Sequence, residues 1–395
     1  MTDPQTLLRF DDARFASAAL PLGDPNAPHL TFIAKGTFDL EAGGTAALAE
    51  VQQPIAGADV PVDPDSETES AVRYESDLVP FKPFADALCV GSAYAPGGHP
   101  TAQLAVRFGV GPFRKEIRVA GDRRWSGGLA GVAHFQGRPE PFVAMPVHFG
   151  RAYGGTDVAK PDGHRRFDRN PVGVGYSKYG FGISGAALPN LEDPRDPIRS
   201  WRSRPEPMSF GPVGRTWQPR LARAGTYDKQ WMKQRAPDPP TDFDERFYNC
   251  APDDQQIAGY LRGDETITAH HMHPEHASFA CRLPGVRVRC FLDRPGDAGR
   301  ELFEVPLALD TLWVDMDALR AVLVWRGCLA PAAAAASTAY LIVEERQGAV
   351  PRDAQSYLPT FERHLAEQSD AWADAELAEA ERALEEATRP EDADA

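Results

Sequence analysis

The sequence predicts a mainly β protein with two packed antiparallel sheet layers, a long irregular middle segment rich in aromatic residues, Pro and Gly, and a C-terminal α-helical tail. Three observations lead to this prediction. The 395 residues include 34 Gly and 36 Pro, which favours many turns and short strands over long helices. The apolar runs are short and bounded by turn residues. A composition typical of helices begins only near residue 360.

Residues 1–165 are predicted to form an N-terminal β-rich region. Strand-forming residues fill 29–40, 102–110 and 113–119, and Arg124-Trp125 begins a further short strand. Gly43-Gly44 and Gly111-Pro112 supply turns after the first and second of these runs. No stretch between them has the 3.6-residue period of an amphipathic helix. The pattern therefore indicates hairpins or a meander.

Asp86 stands at the start of an apolar run that continues to Tyr94. Two interpretations remain open at this point. The carboxylate is either buried and paired with a cation, or it belongs to a turn at the edge of a strand. The turn is favoured, because buried carboxylates are uncommon.

Residues 166–260 form the irregular segment, which is crowded with Trp, Tyr, Pro and Gly but follows neither a helical nor a strand period. A disordered linker would be poor in aromatic rings, since disorder depends on having too little apolar surface to bury. We therefore expect this segment to be ordered and packed on the body. Long ordered loops often carry function, so a binding role is favoured over a loop that only covers a core.

Residues 261–350 are predicted to be a second β-rich region. Short apolar runs occupy 277–281, 286–292, 301–305, 309–314, 321–325 and 340–344. In the second run Arg287 and Arg289 alternate with Val286, Val288 and Cys290, as expected for a sheet covered on one face. Together with the first region, these strands predict two packed sheet layers.

Residues 351–395 form an acidic tail. From Phe361 to Ala395 there are 12 Asp or Glu and 3 Arg, so this stretch carries −9 of the net charge of −15. One or two helices fit the Ala, Glu and Leu composition between residue 359 or 360 and residue 388. The apolar positions are Phe361, Leu365, Trp372, Leu377 and Leu384. Docking on the chain's own body, or solvation, is favoured over binding of a partner.

The composition excludes several classes of function. The body is mildly acidic and has no basic stripe, so nucleic acid is not an expected partner. The N-terminus does not read as a secretory signal, and no apolar run approaches the ~20 residues of a membrane span. We expect no membrane insertion and a cytoplasmic location. Five scattered cysteines without a C-x-x-C pair predict reduced, mostly buried thiols.

A histidine cluster is the sharpest candidate for chemistry. His270-His271-Met272-His273-Pro274-Glu275-His276 offers the ligand types that zinc accepts. The spacing does not suit a metalloprotease helix, since Pro274 would disturb it. A polar turn leading into the strand at Phe279 is therefore favoured over a metal site made by His271, His273 and His276.

Other catalytic motifs fail on spacing. Gly182-Ile183-Ser184-Gly185 is not a nucleophile elbow, and the glycines between Gly150 and Asp157 lack the lysine of a P-loop. We expect no enzyme activity and no cofactor.

A succession of short motifs runs along the chain. The motifs are Lys35-Gly36-Thr37-Phe38, Lys82-Pro83-Phe84-Ala85-Asp86, Arg151-Ala152-Tyr153-Gly154-Gly155-Thr156, Arg169-Asn170-Pro171-Val172-Gly173, Leu188-Pro189-Asn190-Leu191-Glu192, Phe210-Gly211-Pro212 and Phe247-Tyr248-Asn249. Their succession resembles a bacterial family that was first catalogued as a domain of unknown function and is encoded beside type VI secretion genes. The resemblance covers about Thr31 to Trp325 and excludes the acidic tail.

The resemblance implies a non-catalytic adaptor or chaperone that binds a toxic effector and helps load it onto the secretion spike, the valine-glycine repeat protein VgrG. No catalytic residues carry over with it. Aromatic and arginine side chains suit contacts with another protein, and the candidates are Trp201, Arg204, Trp217, Tyr227 and Trp231. The alternatives are a metal-dependent hydrolase that uses residues 270–276 and a carbohydrate-binding β-sandwich.

Overall fold

The computed structural model describes residues 14–66, 70–127, 134–160, 165–296, 299–330 and 339–370. Strands hold 38% of the residues and helices 13%, so the predicted mainly β class is confirmed. The paired strands are antiparallel with two exceptions, β6 with β21 and β13 with β14, whose bounds follow.

The strands, in chain order, are β1 (Ala16–Leu22), β2 (His29–Asp39), β3 (Ala47–Leu48), β4 (Val60–Pro61), β5 (Val72–Tyr74), β6 (Ala85–Val90), β7 (Ser92–Tyr94), β8 (Gln103–Val110), β9 (Phe113–Ala120), β10 (Trp125–Gly127), β11 (His134–Gln136), β12 (Ala144–Pro146), β13 (Tyr153–Gly154), β14 (Val174–Gly175), β15 (Leu191–Glu192), β16 (Gln256–Ile257), β17 (Thr266–His270), β18 (Ser278–Arg282), β19 (Val286–Gly296), β20 (Gly299–Val305), β21 (Ala308–Asp315), β22 (Arg320–Leu329) and β23 (Tyr340–Arg346). The helices are α1 (Lys229–Gln234) and α2 (358–370), with 3₁₀ turns that include Phe149–Arg151, Arg220–Ala224, Glu245–Tyr248 and Ala354–Tyr357.

Three sheets build the body. The central sheet has the order β1-β2-β22-β21-β6-β16, and β3 pairs with β2. A second sheet has the order β15-β9-β8-β17-β18, and a third has the order β20-β19-β23. Strands from the first region and from residues 261–350 therefore lie side by side in the first two sheets. The two β-rich stretches of the sequence are interleaved in space.

The main core lies between the sheets. It joins Phe32 and Leu323 of the central sheet to Phe108 and Phe279 of the second and Leu292 of the third, all at most 2% exposed. Burial of large apolar side chains contributes about 25 cal/mol per Å² removed from water. The other face of the central sheet is also covered, because Ile33, Trp313 and Val324 pack with residues such as Tyr74 and Cys250. Burial on both faces explains the continuous apolar runs of β6 and β22.

The predicted strands correspond closely to the observed ones. The runs at 29–40, 102–110 and 113–119 are β2, β8 and β9, and the later runs are β18 to β23. Among the described strands of five or more residues, β1 and β17 were not predicted. The first is rich in Ala and Pro, which have low strand propensity, and the second is short and ends in the histidine cluster.

The middle segment is irregular, as predicted, and between residues 166 and 260 its regular elements are α1, 3₁₀ turns and the two-residue strands β14, β15 and β16. It is attached to the sheets by buried side chains. Glu192 lies 2.7 Å from Arg123, and Gln255 donates to the carbonyls of Ala87 and Phe210. The carbonyl of Phe210 also accepts from Cys89 of β6. These hydrogen bonds fix the path of the middle segment, which forms few sheet hydrogen bonds itself.

Asp86 corrects the favoured interpretation from the sequence, because its side chain is 0% exposed and paired. Lys82 Nζ lies 2.8 Å from its carboxylate and also donates to Thr311 Oγ1 at 2.9 Å. The returning middle segment supplies three more donors, from Asn249 Nδ2 and the backbone N–H groups of Cys250 and Ala251. Burial raises the pKa of Asp86, but Lys82 and the hydrogen bonds outweigh it, so the pKa lies below its usual value.

The register of the sheet explains this arrangement. In the parallel pair β6–β21, Thr311 lies opposite Asp86, and in the antiparallel pair β16–β6, Gln256 lies opposite it. Thr311 in turn donates to Asp310, which pairs with Arg326 of β22. A chain of buried polar groups therefore crosses three adjacent strands, and each carboxylate in it is paired with a cation.

The tail docks on the third sheet as far as it is described. Tyr357 and Phe361 are buried against Phe291 and Leu341, and Leu365 packs beside them. The Tyr357 hydroxyl also donates to Glu345 at 2.7 Å. This part of the tail thus docks on its own body, as the sequence favoured. Trp372, Leu377 and Leu384 lie outside the described residues.

Among the described residues, no helix combines the length and the apolar character that crossing a membrane requires. All five cysteines are unpaired, and all except Cys328 are buried.

Replacing the buried carboxylate tests the importance of this network. Asp86→Asn keeps the size of the side chain but leaves the Lys82 ammonium buried without a counter-charge, and we expect a loss of about 3–5 kcal/mol in the free energy of unfolding. Asp39→Asn is the matched control. It removes an exposed ion pair with Arg320, which contributes less than about 1 kcal/mol. Urea denaturation measures both, and equal losses would contradict the role of Asp86.

His148 makes the stability depend on pH. Its Nδ1 accepts from the N–H of Gly150 at 3.2 Å. Burial, and then the charge of Arg151, lower its pKa from 6.5 to about 4. Between these values the unfolded chain binds a proton that the folded chain does not, so stability falls as the pH drops through this window.

The depressed pKa corresponds to about 3 kcal/mol at most. His148→Gln keeps an acceptor without this titration. We expect the difference in unfolding free energy between the two proteins to shift by up to that amount between pH 6.5 and pH 4. A constant difference would refute the assignment.

Candidate functional site

The structure places the five residues predicted for partner binding in three environments. Tyr227 and Trp231 share one exposed surface, Trp201 and Arg204 share another, and Trp217 is in the core. Each environment follows from how the middle segment is folded locally.

Tyr227, Trp231 and Met232 form an apolar surface on and beside α1, here called the Trp231 surface. Tyr227 is 57% exposed and Met232 is 68% exposed. The rings of Tyr227 and Trp231 meet edge to face with centroids 4.6 Å apart. Edge-to-face packing holds the two rings in a fixed relation, so the surface has a defined shape in the free protein.

Local hydrogen bonds hold this surface, because a six-residue helix is not stable by itself. The Asp228 side chain caps α1 by accepting from the N–H of Trp231 at 2.8 Å. The indole N–H of Trp231 donates to the carbonyl of Asp238. Asp242 accepts from both the N–H and the hydroxyl of Thr226 and so closes the loop. A groove of about 350 Å³ runs beside Trp231.

A second exposed surface, here called the Trp201 surface, consists of the rings of Phe135, Tyr179, Phe181 and Trp201. Phe135 is 66% exposed and Phe181 is 57% exposed. Tyr179 stacks on Phe181 with centroids 5.4 Å apart. The half-buried ring of Trp201 lies against Gly180, where an added Cβ would come within 2.4 Å of it. Glycine at this position is what allows the ring to lie flat on the chain.

Cations surround the Trp201 surface. The Arg202 guanidinium lies 4.7 Å from the centre of the Trp201 ring, and Lys178 Nζ lies 5.7 Å from that of Tyr179. Arg204 donates to the carbonyls of Trp201, Ser203 and Ser177. The guanidinium of Arg204 therefore fixes the loop at the same time as it adds positive charge to an exposed position.

The prediction for Trp217 was wrong. Its side chain is 5% exposed and packs edge to face on Phe149, with centroids 5.4 Å apart. The 3₁₀ turn at Arg220–Ala224 follows it, and Arg220 is locked by Glu75 and by two backbone carbonyls. This anchoring draws Trp217 inward, so its ring does not contact a partner from this position.

His270 ends β17, and His271, His273 and His276 lie in the hairpin turn between β17 and β18, which agrees with the polar turn that the sequence favoured. His271 Nδ1 bonds the carbonyl of Ala105. His273 Nδ1 accepts from the backbone N–H groups of Glu275 and His276, which shapes the turn. In the part of the chain that the structure describes, no group of three or more His, Cys, Asp or Glu is placed to hold a metal ion.

A cavity of about 370 Å³ lies between β9 and the middle segment. Its floor is apolar and includes Phe149, Met208 and Val213. Charged side chains border it in pairs, such as Arg223 with Asp253 and Lys115 with Asp254. The paired borders leave this cavity without a clear preference for an anion or a cation.

The Cys250 thiol lies in the core beside Asp86 and Lys82, where it makes structural contacts. Burial raises the pKa of the Cys250 thiol well above its usual value, although the charge of Lys82 opposes this. The thiolate, which is the reactive form of cysteine, is therefore disfavoured there. Cys250 lies 3.4 Å from Asp86 and behaves as part of the sheet contact.

Comparison with known proteins places these motifs in one family. The sequence model described as an uncharacterized protein conserved in bacteria (DUF2169) matches residues 25–326. The chain belongs to this bacterial family. No curated protein and no solved structure matches the chain. The DUF2169 match begins just before β2 and ends inside β22, so β23, α2 and the acidic tail lie beyond it.

The motifs that carry the DUF2169 resemblance are largely buried. Lys35, Asp86, Asn170, Asn190 and Asn249 are each at most 3% exposed. Asn170, for example, donates to the carbonyls of Phe149 and Tyr153. These residues hold loops to sheets, and the family motifs therefore describe the scaffold more than its surface.

Sequence reasoning missed the exposed rings of Phe135 and Phe181 and the exposed Met232. The first two occur in short runs that look like ordinary strand or turn residues. Met232 follows Trp231 directly, and adjacent residues on a helix point in different directions. The adjacency of these two apolar residues could therefore have indicated that one of them is exposed.

The contrast between Trp217 and Tyr227 gives a direct test of these placements. Trp217→Ala should lower the free energy of unfolding by about 3–5 kcal/mol, because it leaves a cavity beside Phe149. Tyr227→Ala removes a mostly exposed ring and should cost less than about 1 kcal/mol. Chemical denaturation measures both losses. A loss below about 1 kcal/mol for Trp217→Ala would show that the Trp217 side chain is not buried.

Proposed function

We propose that this chain is a non-catalytic adaptor of type VI secretion that binds a toxic effector and helps load it onto the VgrG spike. The observation that carries the proposal is the Trp231 surface. It is an exposed aromatic and thioether surface whose shape is fixed before any partner arrives.

Such a surface suits protein binding for physical reasons. Soluble proteins seldom leave several large apolar side chains together in water unless they serve an interface. Tyr and Trp contribute the most to protein interfaces, and Met adapts to irregular partners. The caps from Asp228 and Asp242 reduce the entropy lost on binding, since the loop is already ordered.

The scaffold supports the same proposal. Asn26 of the β1–β2 turn donates to Asp238 at 2.6 Å, so the loop that carries Trp231 is tied to the edge of the central sheet. An adaptor needs this rigidity, because it must hold one partner while presenting it to another. The role in type VI secretion itself rests on the family resemblance of the motifs. On this proposal the chain acts in the cytoplasm, where effector and spike meet before export.

Binding to the effector and spike proteins encoded beside the gene tests the proposal. We expect both to co-purify with the full chain. The double variant Tyr227→Ser, Met232→Ser should weaken retention of the effector at least about tenfold, because it removes two exposed apolar anchors. Its melting temperature should stay close to that of the wild type.

Val51→Ser, Val350→Ser is the matched control, since these side chains are 67% and 91% exposed outside the Trp231 surface. It should retain both partners. Failure of either partner to co-purify would count against the adaptor. Full retention by the double variant would exclude the Trp231 surface.

A further inference from the structure

The Trp201 surface combines features that the Trp231 surface lacks. Positive charges lie beside its rings, because Arg202 contacts Trp201 and Lys178 contacts Tyr179. Trp201 lies on Gly180, whose carbonyl bonds His134, the residue before Phe135. Within the described part of the chain, Lys178, Arg202 and Arg204 lie in no ion pair with a carboxylate. Asp157 is 0% exposed, and its carboxylate accepts from the backbone N–H of Lys178.

We propose that the Trp201 surface binds an acidic polypeptide segment with apolar residues, and that in the free protein this segment is the chain's own residues 371–395. The assignment rests on complementary charge, complementary apolar content and reach. It goes beyond the adaptor role and does not depend on it.

The tail and the surface carry opposite charges. Residues 371–395 contain nine Asp or Glu and two Arg, a net charge of −7, which is almost half of the net charge of −15. The surface offers exposed cations from Lys178, Arg202 and Arg204, which pair with no carboxylate among the described residues. Opposite charges that are not already paired gain most from association.

The apolar content matches as well. Trp372, Leu377 and Leu384 stand among the acidic residues of the tail. Exposed rings such as Phe135 and Phe181 bury apolar surface when such side chains pack on them. A segment with charge alone would be held only weakly in physiological salt, so both kinds of contact are needed.

The tail is long enough to reach the surface. The described chain ends at Asp370, and 25 residues follow. Fully extended they span about 80 Å, and as a helix about 37 Å, whereas a compact domain of this length has a radius of gyration of about 21 Å. Because the tail is covalently attached, its effective concentration at the surface is in the millimolar range, which favours binding within one molecule over binding to a second copy.

Zero-length carbodiimide coupling of the full chain tests the proposal, since it joins carboxylates to lysine amines that touch them. We expect peptides that link Lys178 to carboxylates of residues 371–395, at a yield that does not change with protein concentration and falls in high salt. Lys229 and Lys233 are the controls, because they are exposed on α1 outside this surface. They should not couple to the tail.

Limited trypsin proteolysis at Arg382 gives a second readout. In the variant Lys178→Glu, Arg202→Glu, like charges should repel the tail, and cleavage there should become about tenfold faster. The matched variant Lys229→Glu, Lys233→Glu should cleave like the wild type. Both pairs are exposed, so both variants should fold.

Three results would overturn the proposal. They are the absence of any Lys178 link to the tail, equal cleavage rates in the two variants, and links that form only between isotopically distinct copies. The last result would assign the surface to a second copy of the chain.

Discussion

The buried contact between Lys82 and Asp86 is the constraint on which the rest of this structure depends. A charged pair at this depth is expensive to desolvate and is tolerated only when every remaining donor and acceptor is satisfied. Here the satisfaction comes from Thr311 of β21 and from the backbone of Cys250 and Ala251. Strands from both ends of the sequence and the returning middle segment must therefore be in place together. The Lys82–Asp86 pair therefore links the pairing of β6 with β21 to the ordering of the middle segment.

This coupling explains how a segment with little regular structure presents fixed surfaces. It is fastened to the body by buried ion pairs, such as Glu192 with Arg123 and Arg220 with Glu75. Between those points the chain is free to project outward, and local caps give the projections their shape. The Trp231 and Trp201 surfaces are both of this kind. The same buried contacts that hold the segment to the sheets leave these two surfaces exposed.

The sequence predicts local structure well and tertiary placement poorly, for reasons visible at particular residues. Strands such as β2 and β22 follow from their own composition. Their pairing, residue 34 opposite residue 325, joins parts of the chain almost 300 residues apart, and no local pattern encodes it. Trp217 and Trp231 lie in the same irregular segment, yet Trp217 packs on Phe149 in the core and Trp231 lies beside the exposed Tyr227. Asp86 was misjudged because its partners other than Lys82 are residues 249–251, which lie far along the chain.

The position of the family motifs bears on what kind of protein this is. Motif residues at a reaction centre would be expected to line an opening, with pKa values poised for proton transfer. Here Asp86 and Asn249 lie inside the sheet contact. Burial opposes the lowered pKa of Asp86 and the raised pKa of Lys82, and their mutual pairing outweighs it. Their arrangement is that of groups that specify a fold. Since the motifs maintain the scaffold, the adaptor role proposed above assigns recognition to the exposed rings, whose replacement would not disturb the buried network. That division of labour is what an adaptor requires, and it supports a role in binding over one in chemistry.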